Sequence, residues 1–271
     1  MQLQLTKRLS HGITNRTSYT WSRTIGLAND DNNLATRDPL NRNLDKSVLG
    51  FHRTHNFTSS GTLEMPFGPN RALLSSAPGW LSRIVERWQL GGVLSWGSGA
   101  PLTLLAGGLT NIFQQATNTP MILGEMPQGK VTRMSDGSLP TYFSTLRLGA
   151  AGSDPGRATV TTTNTLGNAY TNRAIFDASG TALLVNPGPA QIGNMGIRRI
   201  EGPGRLDFDL NLLKKVAIDE TREFELRVDV VNVLNHPVFG NPNVDINSNS
   251  FGRINSAGDG RRFTLGARIN F

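Results

Sequence analysis

The side chains best placed to do chemistry are the six charged residues Asp207, Asp209, Glu223, Glu225, Arg227 and Asp229, which fall on alternate positions of two neighbouring segments. Closely spaced carboxylates can divide the work of general acid and general base. The same alternation is what the water-facing side of a sheet requires, with opposite charges pairing across strands. That second reading accounts for all six residues, whereas no nucleophile, base and orienting acid can be assembled around the first. His52 and His55 invite a metal reading, but three positions apart on extended chain they point to opposite faces and no carboxylate cluster follows, so they are expected at a loop or rim. His11 lies in the turn Ser10-His11-Gly12, and His236 precedes Pro237 where a strand ends. Gly91-Gly92 and Gly97-Ser98-Gly99 sit in a strand pattern and at its end, not between a strand and a helix, where phosphate loops and nucleophile elbows place their glycines. Catalytic, cofactor and metal sites are therefore not expected, and the chain is not expected to be an enzyme.

The elements that hold these residues read as strands. Leu206, Phe208, Leu210 and Leu212 alternate with Arg205, Asp207, Asp209 and Asn211. After the turn Asp219-Glu220-Thr221, Phe224, Leu226, Val228 and Val230 alternate with Glu223, Glu225, Arg227 and Asp229, which predicts a hairpin. Phe263, Leu265, Ala267, Ile269 and Phe271 then oppose Arg262, Thr264, Gly266, Arg268 and Asn270. Upstream, Trp88, Leu90, Gly92, Leu94 and Trp96 share one face. Leu3, Leu5 and Leu9 share another, interrupted by Lys7, which can snorkel near an interface. A strand carrying Tyr19, Trp21 and Ile25 on one face and one from about 53 to 66 bring the expectation to seven antiparallel strands in a meander.

Alternation of this kind suits either a soluble sandwich, binding carbohydrate or protein, or a transmembrane barrel. The chain has 271 residues, of which 37% are hydrophobic. It has no apolar run of the roughly 18 residues that a spanning helix needs, so only strands could cross a membrane. At ~3.3 Å per residue and a tilt of about 40°, the segment from Trp88 to Trp96 spans roughly 20 Å, close to the ~25 Å apolar band that aromatic girdles bound in outer-membrane barrels. Trp21, Trp88 and Trp96 are the expected membrane-interface aromatics. The net charge of +7 is carried mostly by Arg scattered through turns and loops, whereas nucleic-acid binders concentrate charge on one face or in runs, so no nucleic-acid partner is expected. With no cysteine, disulfides and thiolate metal sites are excluded. The first residues lack the basic start and apolar run of a signal peptide, and an exported chain without one is expected to be a fragment.

Outer-membrane barrels have short periplasmic turns and longer extracellular loops, and the last strand ends on the periplasmic side. Counting back from Phe271 puts 235–260, 105–203 and 27–52 outside, and 218–221, 67–86 and 10–12 in the periplasm. The connection 67–86 is long for its side, and Leu81–Arg87 reads as a short helix over the rim. Region 105–203 is either one large extracellular loop or a loop that hides a strand pair, and both leave the parity unchanged.

Thr264, Gly266, Ile269 and Phe271 fit the spacing polar, Gly, apolar, aromatic that resembles the β-signal read by the barrel assembly machinery. A terminal strand with free edge groups can pair with that machinery, Ile269 and Phe271 would offer same-face anchors, and Gly266 would permit close backbone approach or a bend. Gly202-Pro203-Gly204-Arg205-Leu206-Asp207-Phe208-Asp209-Leu210 and the stretch Phe224 to Gly240, with Trp88-Gln89-Leu90-Gly91-Gly92 and Leu184-Val185-Asn186-Pro187-Gly188, resemble the C-terminal barrel of Oar-like TonB-dependent transporters. The resemblance is most specific from about 184 to 271. It implies a barrel of about twenty-two strands preceded by a carboxypeptidase-regulatory-like domain and a plug, neither of which is visible here. Residues 1–271 would then be the C-terminal part of the barrel. The whole would sit in the bacterial outer membrane and import a large nutrient with energy from TonB. The implied partners are outer-membrane lipid, the assembly machinery, the TonB complex acting through the plug, and a nutrient ligand of unknown identity.

Overall fold

The computed structural model describes residues 1–27, 37–38, 40–69, 71–106, 118–155, 162–165, 168–171, 173–188, 191–219 and 221–271. Alternating apolar and polar residues give seven long strands: β1 Gln2–Ser10, β2 Ile13–Trp21, β3 His55–Glu64, β4 Trp88–Gly97, β5 Arg205–Ala217, β6 Glu223–Val231 and β7 Arg262–Asn270. Each pairs antiparallel with its neighbours in sequence, so the sheet is the expected meander, open at β1 and β7.

One end of the sheet is closed by turns. His11 and Gly12 both have positive φ, 53° and 76°, as the central pair of a type I′ hairpin requires, and glycine supplies the second at no steric cost. Between β5 and β6, the Asp219 carboxylate accepts bonds from the backbone N–H groups of Thr221 and Arg222, at 3.0 and 2.7 Å, which hold its pKa below the usual carboxylate value. The third connection carries the expected helix, α1, at Gly79–Val85. It is joined to the sheet by the Trp88 indole, which donates to the Ile84 carbonyl at 2.8 Å, and by the Lys214 ammonium, which donates to the Glu86 carbonyl and lies 5.5 Å from the centre of the Trp88 ring.

The other end carries the long connections, and here the chain packs as a domain of its own. Residues 98–204 contribute a small sheet in the order Met121–Ile122, Ala182–Val185, Ile175–Phe176, Arg147–Leu148, a ladder between Pro101–Leu102 and Ile200–Glu201, and a hairpin of Thr162–Thr165 with Asn168–Thr171. Among the described residues none of these joins the seven-stranded sheet. Leu104, Ile175, Leu184, Ile246 and Ile254 are at most 2% exposed, and Phe143 stacks on Phe251 at 5.5 Å. The buried apolar residues that form this core all lie in 102–106, 142–200 and 246–254. None belongs to the seven strands.

Polar groups stitch the connections together. The Asn186 backbone and side chain donate to Asp154, at 2.8 and 3.0 Å, and Asn186 also bonds Asn247 across the domain. The Arg37 guanidinium reaches the Gly193 carbonyl at 2.6 Å, and Arg198 reaches Ser47 and the Val48 carbonyl, both at 3.0 Å. The expected placement of Ile25 beside Tyr19 and Trp21 on one strand differs from what is observed. β2 ends at Trp21, and Ile25–Gly26 pairs instead with Ser47–Val48. The ladder is broken where Ser22 bonds Arg53 and Thr54 and where the Thr24 N–H turns to the His52 ring.

Candidate functional site

The feature with functional content is the pair of faces on the long sheet. The register aligns Ile13, Leu63, Leu90, Leu212, Val228 and Leu265 in one row across β2 to β7. One residue along, the row reads Thr14, Thr62, Gly91, Asn211, Asp229 and Thr264. Because successive side chains leave opposite faces, these neighbouring rows define an apolar side and a polar side.

On the apolar side, Leu3, Tyr19, Phe57, Trp96 and Leu206 form a further row toward the loop end. Trp21 lies on the same face opposite His55, and Trp88 lies opposite Lys214 toward the turn end, so β4 carries a tryptophan near each end. His55 is hydrogen-bonded to the Tyr19 hydroxyl at 2.7 Å and its ring stands 6.0 Å from that of Trp96. His52 is buried in the preceding connection, its ring facing Thr24 and Thr54, and burial lowers its pKa. The two histidines do not share a site. Leu265 is 75% exposed, Phe263 61%, Trp21 52% and Ile269 48%, so Phe208, Phe224 and Ile269 do not meet in a sealed protein centre. The apolar face is interrupted at Asn15, Thr17 and Ser59, whose side chains bond one another at 2.8 to 3.2 Å. Mutual bonding is what permits polar groups on a face without water.

Asp207, Asp209, Glu223, Glu225, Arg227 and Asp229 all lie on the polar side. Their partners are mostly residues outside that set. The Lys215 ammonium stands 3.1 Å from Glu223 and 3.7 Å from Glu225, Arg87 reaches Glu223 at 3.4 Å, and Asp209 accepts from the Asn232 N–H at 2.8 Å. Only Arg227 and Asp229 pair within the set, at 2.9 Å along one strand. Lys215 was missed because Leu213-Lys214 breaks the alternation after Leu212, whereas the strand continues to Ala217.

In β7, Thr264 lies opposite Asp229, Gly266 opposite Arg227 and Ile269 opposite Phe224, with Phe271 beyond the strand and 93% exposed. A side chain at Gly266 would meet nothing within 4 Å in this chain, so any close backbone approach there would be to a partner of the open edge. The outer edge of β7 is unpaired among the described residues.

A row of large apolar side chains turned away from any protein core, backed by a charged face, is the arrangement of a strand wall between lipid and water. No curated protein and no solved structure matches the chain. The family model of the outer membrane beta barrel domain matches residues 1–264. The chain therefore belongs to the outer-membrane β-barrel domain family, and its strands are antiparallel barrel strands of the bacterial outer membrane.

Proposed function

We propose that the seven strands are a stretch of the wall of a TonB-dependent transporter that imports a large nutrient and performs no chemistry on it. The observation that carries this reading is the open two-faced sheet. Its edges at β1 and β7 cannot stand unpaired in hydrocarbon, so further strands must complete the barrel, as the resemblance to Oar-like transporters implies. The polar face then borders an aqueous interior, and the turn end lies in the periplasm. The packed connections of the other end form the extracellular surface that first meets the nutrient. Coupling to TonB runs through a plug domain, and lipid and the assembly machinery are the remaining partners, the latter pairing with the open edge of β7 through Ile269 and Phe271.

The test is made on the full-length protein. It is expected in the detergent-extracted outer membrane with heat-modifiable mobility, and uptake of its nutrient is expected to stop when the proton gradient or TonB is removed. Uptake that continues without TonB would remove the transporter assignment and leave a passive barrel. Deleting Phe271 is expected to slow insertion, and normal insertion would show that the assembly machinery does not read this strand.

A further inference from the structure

At the loop end of the sheet, a cavity of about 350 Å³ lies where β2 ends, lined by Trp21, Arg23, His52, Arg198, Arg199 and Glu201. Its walls come from two connections, β2 to β3 and β4 to β5, and Arg198 holds them together through its bonds to Ser47 and Val48. Arg199 and Arg23, which also line the cavity, are exposed, and neither side chain makes a hydrogen bond or ion pair among the described residues. Among the described residues the cavity is lined by one carboxylate, Glu201, which already accepts from the Gly99 N–H at 3.3 Å. Burial lowers the pKa of His52, against the pull of Glu201 and together with Arg53 and Arg23, so His52 is disfavoured as a cation. Among the described residues the cavity therefore holds an excess of positive charge, with the Arg23 and Arg199 guanidinium forks unengaged.

Its position narrows the ligand. Trp21 lines the cavity and also belongs to the apolar face, where it is 52% exposed beside the collar of Tyr19, His55 and Trp96. The cavity thus begins where the aromatic girdle ends, at the depth of lipid headgroups. A ligand that fills both parts has an anionic head for the guanidiniums and an apolar body for the tryptophan. Guanidinium forks match tetrahedral phosphate oxygens in a bidentate fashion.

We propose that this cavity binds the phosphate of an outer-leaflet lipid, with Arg23 and Arg199 as the donors and Trp21 packed on the lipid's apolar part. The inference rests on the reading that the apolar face meets lipid, and it goes further by naming a site for one class of lipid.

The test uses full-length protein purified in detergent, incubated with micelles of lipid A carrying its phosphates or of enzymatically dephosphorylated lipid A, and read by native mass spectrometry. The phosphorylated form is expected to be retained about tenfold or more over the dephosphorylated one. The double substitution Arg23→Gln and Arg199→Gln is expected to abolish that preference while heat-modifiable mobility stays unchanged, since neither side chain holds the fold. Equal retention of the two lipids, or an undiminished preference in the double variant, overturns the proposal. Displacement of the lipid by millimolar inorganic phosphate would also overturn it, by showing a site for soluble anions. Absence of the wild-type protein from the outer membrane would be a different failure, that of the barrel reading itself.

Discussion

Ile175 and Leu184, in the connections at the loop end, are completely buried, whereas Leu265 and Phe263, on a strand of the sheet, are 75% and 61% exposed. The two regions place the same kind of side chain in opposite directions because they are built for different solvents. The connections face water, so burying apolar area stabilises them by roughly 25 cal/mol per Å², and they close around a core. In the sheet the backbone groups are satisfied by neighbouring strands, and the apolar side chains need hydrocarbon around them rather than protein. Polar residues reverse roles in the same way. Asp154, Asn186 and Asn247 are inside the domain, joined through Asn186, while the charges of β5 and β6 pair with one another and with Lys215 on an open face of the sheet.

The largest effect expected from breaking this contrast is at Ile175. Truncation to Ala should cost the loop domain about 2–5 kcal/mol, by lost transfer energy and the cavity left behind. Hydrogen exchange should rise through 118–200 while the sheet keeps its heat-modifiable mobility. Simultaneous loss of the sheet would mean that the two regions do not fold as separate units.

Val93 and Leu94 sharpen the comparison, being adjacent and both apolar but on opposite faces, opposite Asp209 and Phe208 respectively. Leu94→Arg should destabilise the barrel in bilayers by about 2–4 kcal/mol, against less than about 1 kcal/mol for Val93→Arg. Equal penalties in urea unfolding from vesicles would refute the assignment of the two faces.

A smaller, pH-dependent difference is expected at Tyr142. Its hydroxyl donates to the Glu201 carbonyl at 2.6 Å, and burial pushes its pKa from 10.0 up to about 12. The folded state favours the protonated phenol, so this contribution is complete below pH 10 and is lost as pH rises through about 12. Near-ultraviolet titration should show the loop domain loosening in that window with the sheet intact, and Tyr142→Phe should remove the step. The smallest effect belongs to Lys215→Ala. Its ion pairs are partly exposed, so the loss should stay within about 1 kcal/mol in the same unfolding assay.

Much of the sheet could be read from residue order because its determinants are local. Period-two alternation gave the seven strands, and the pair His11-Gly12 gave the tight hairpin. The loop domain was not legible. Its core joins Leu104, Ile175 and Ile246 through pairings such as the Leu105 N–H with the Val244 carbonyl and the Tyr142 N–H with the Gly252 carbonyl. Such contacts are separated by long stretches of chain and follow no period. The same holds for the cavity beside Trp21, whose arginines come from connections far apart in sequence. Lys215 escaped notice for a different reason: the break at Leu213-Lys214 hid the last turnward residues of β5, so only part of the charge pairing on that face could be anticipated.

Lys214 itself has a consequence for how the protein rides in the bilayer. Its ammonium is tethered to the Glu86 carbonyl and rests against Trp88, on the apolar face between Leu212 and Val216. With that face against lipid, as proposed, drawing the cation into hydrocarbon would be costly, so the side chain would serve as a draught mark for the depth of the wall on its turn side.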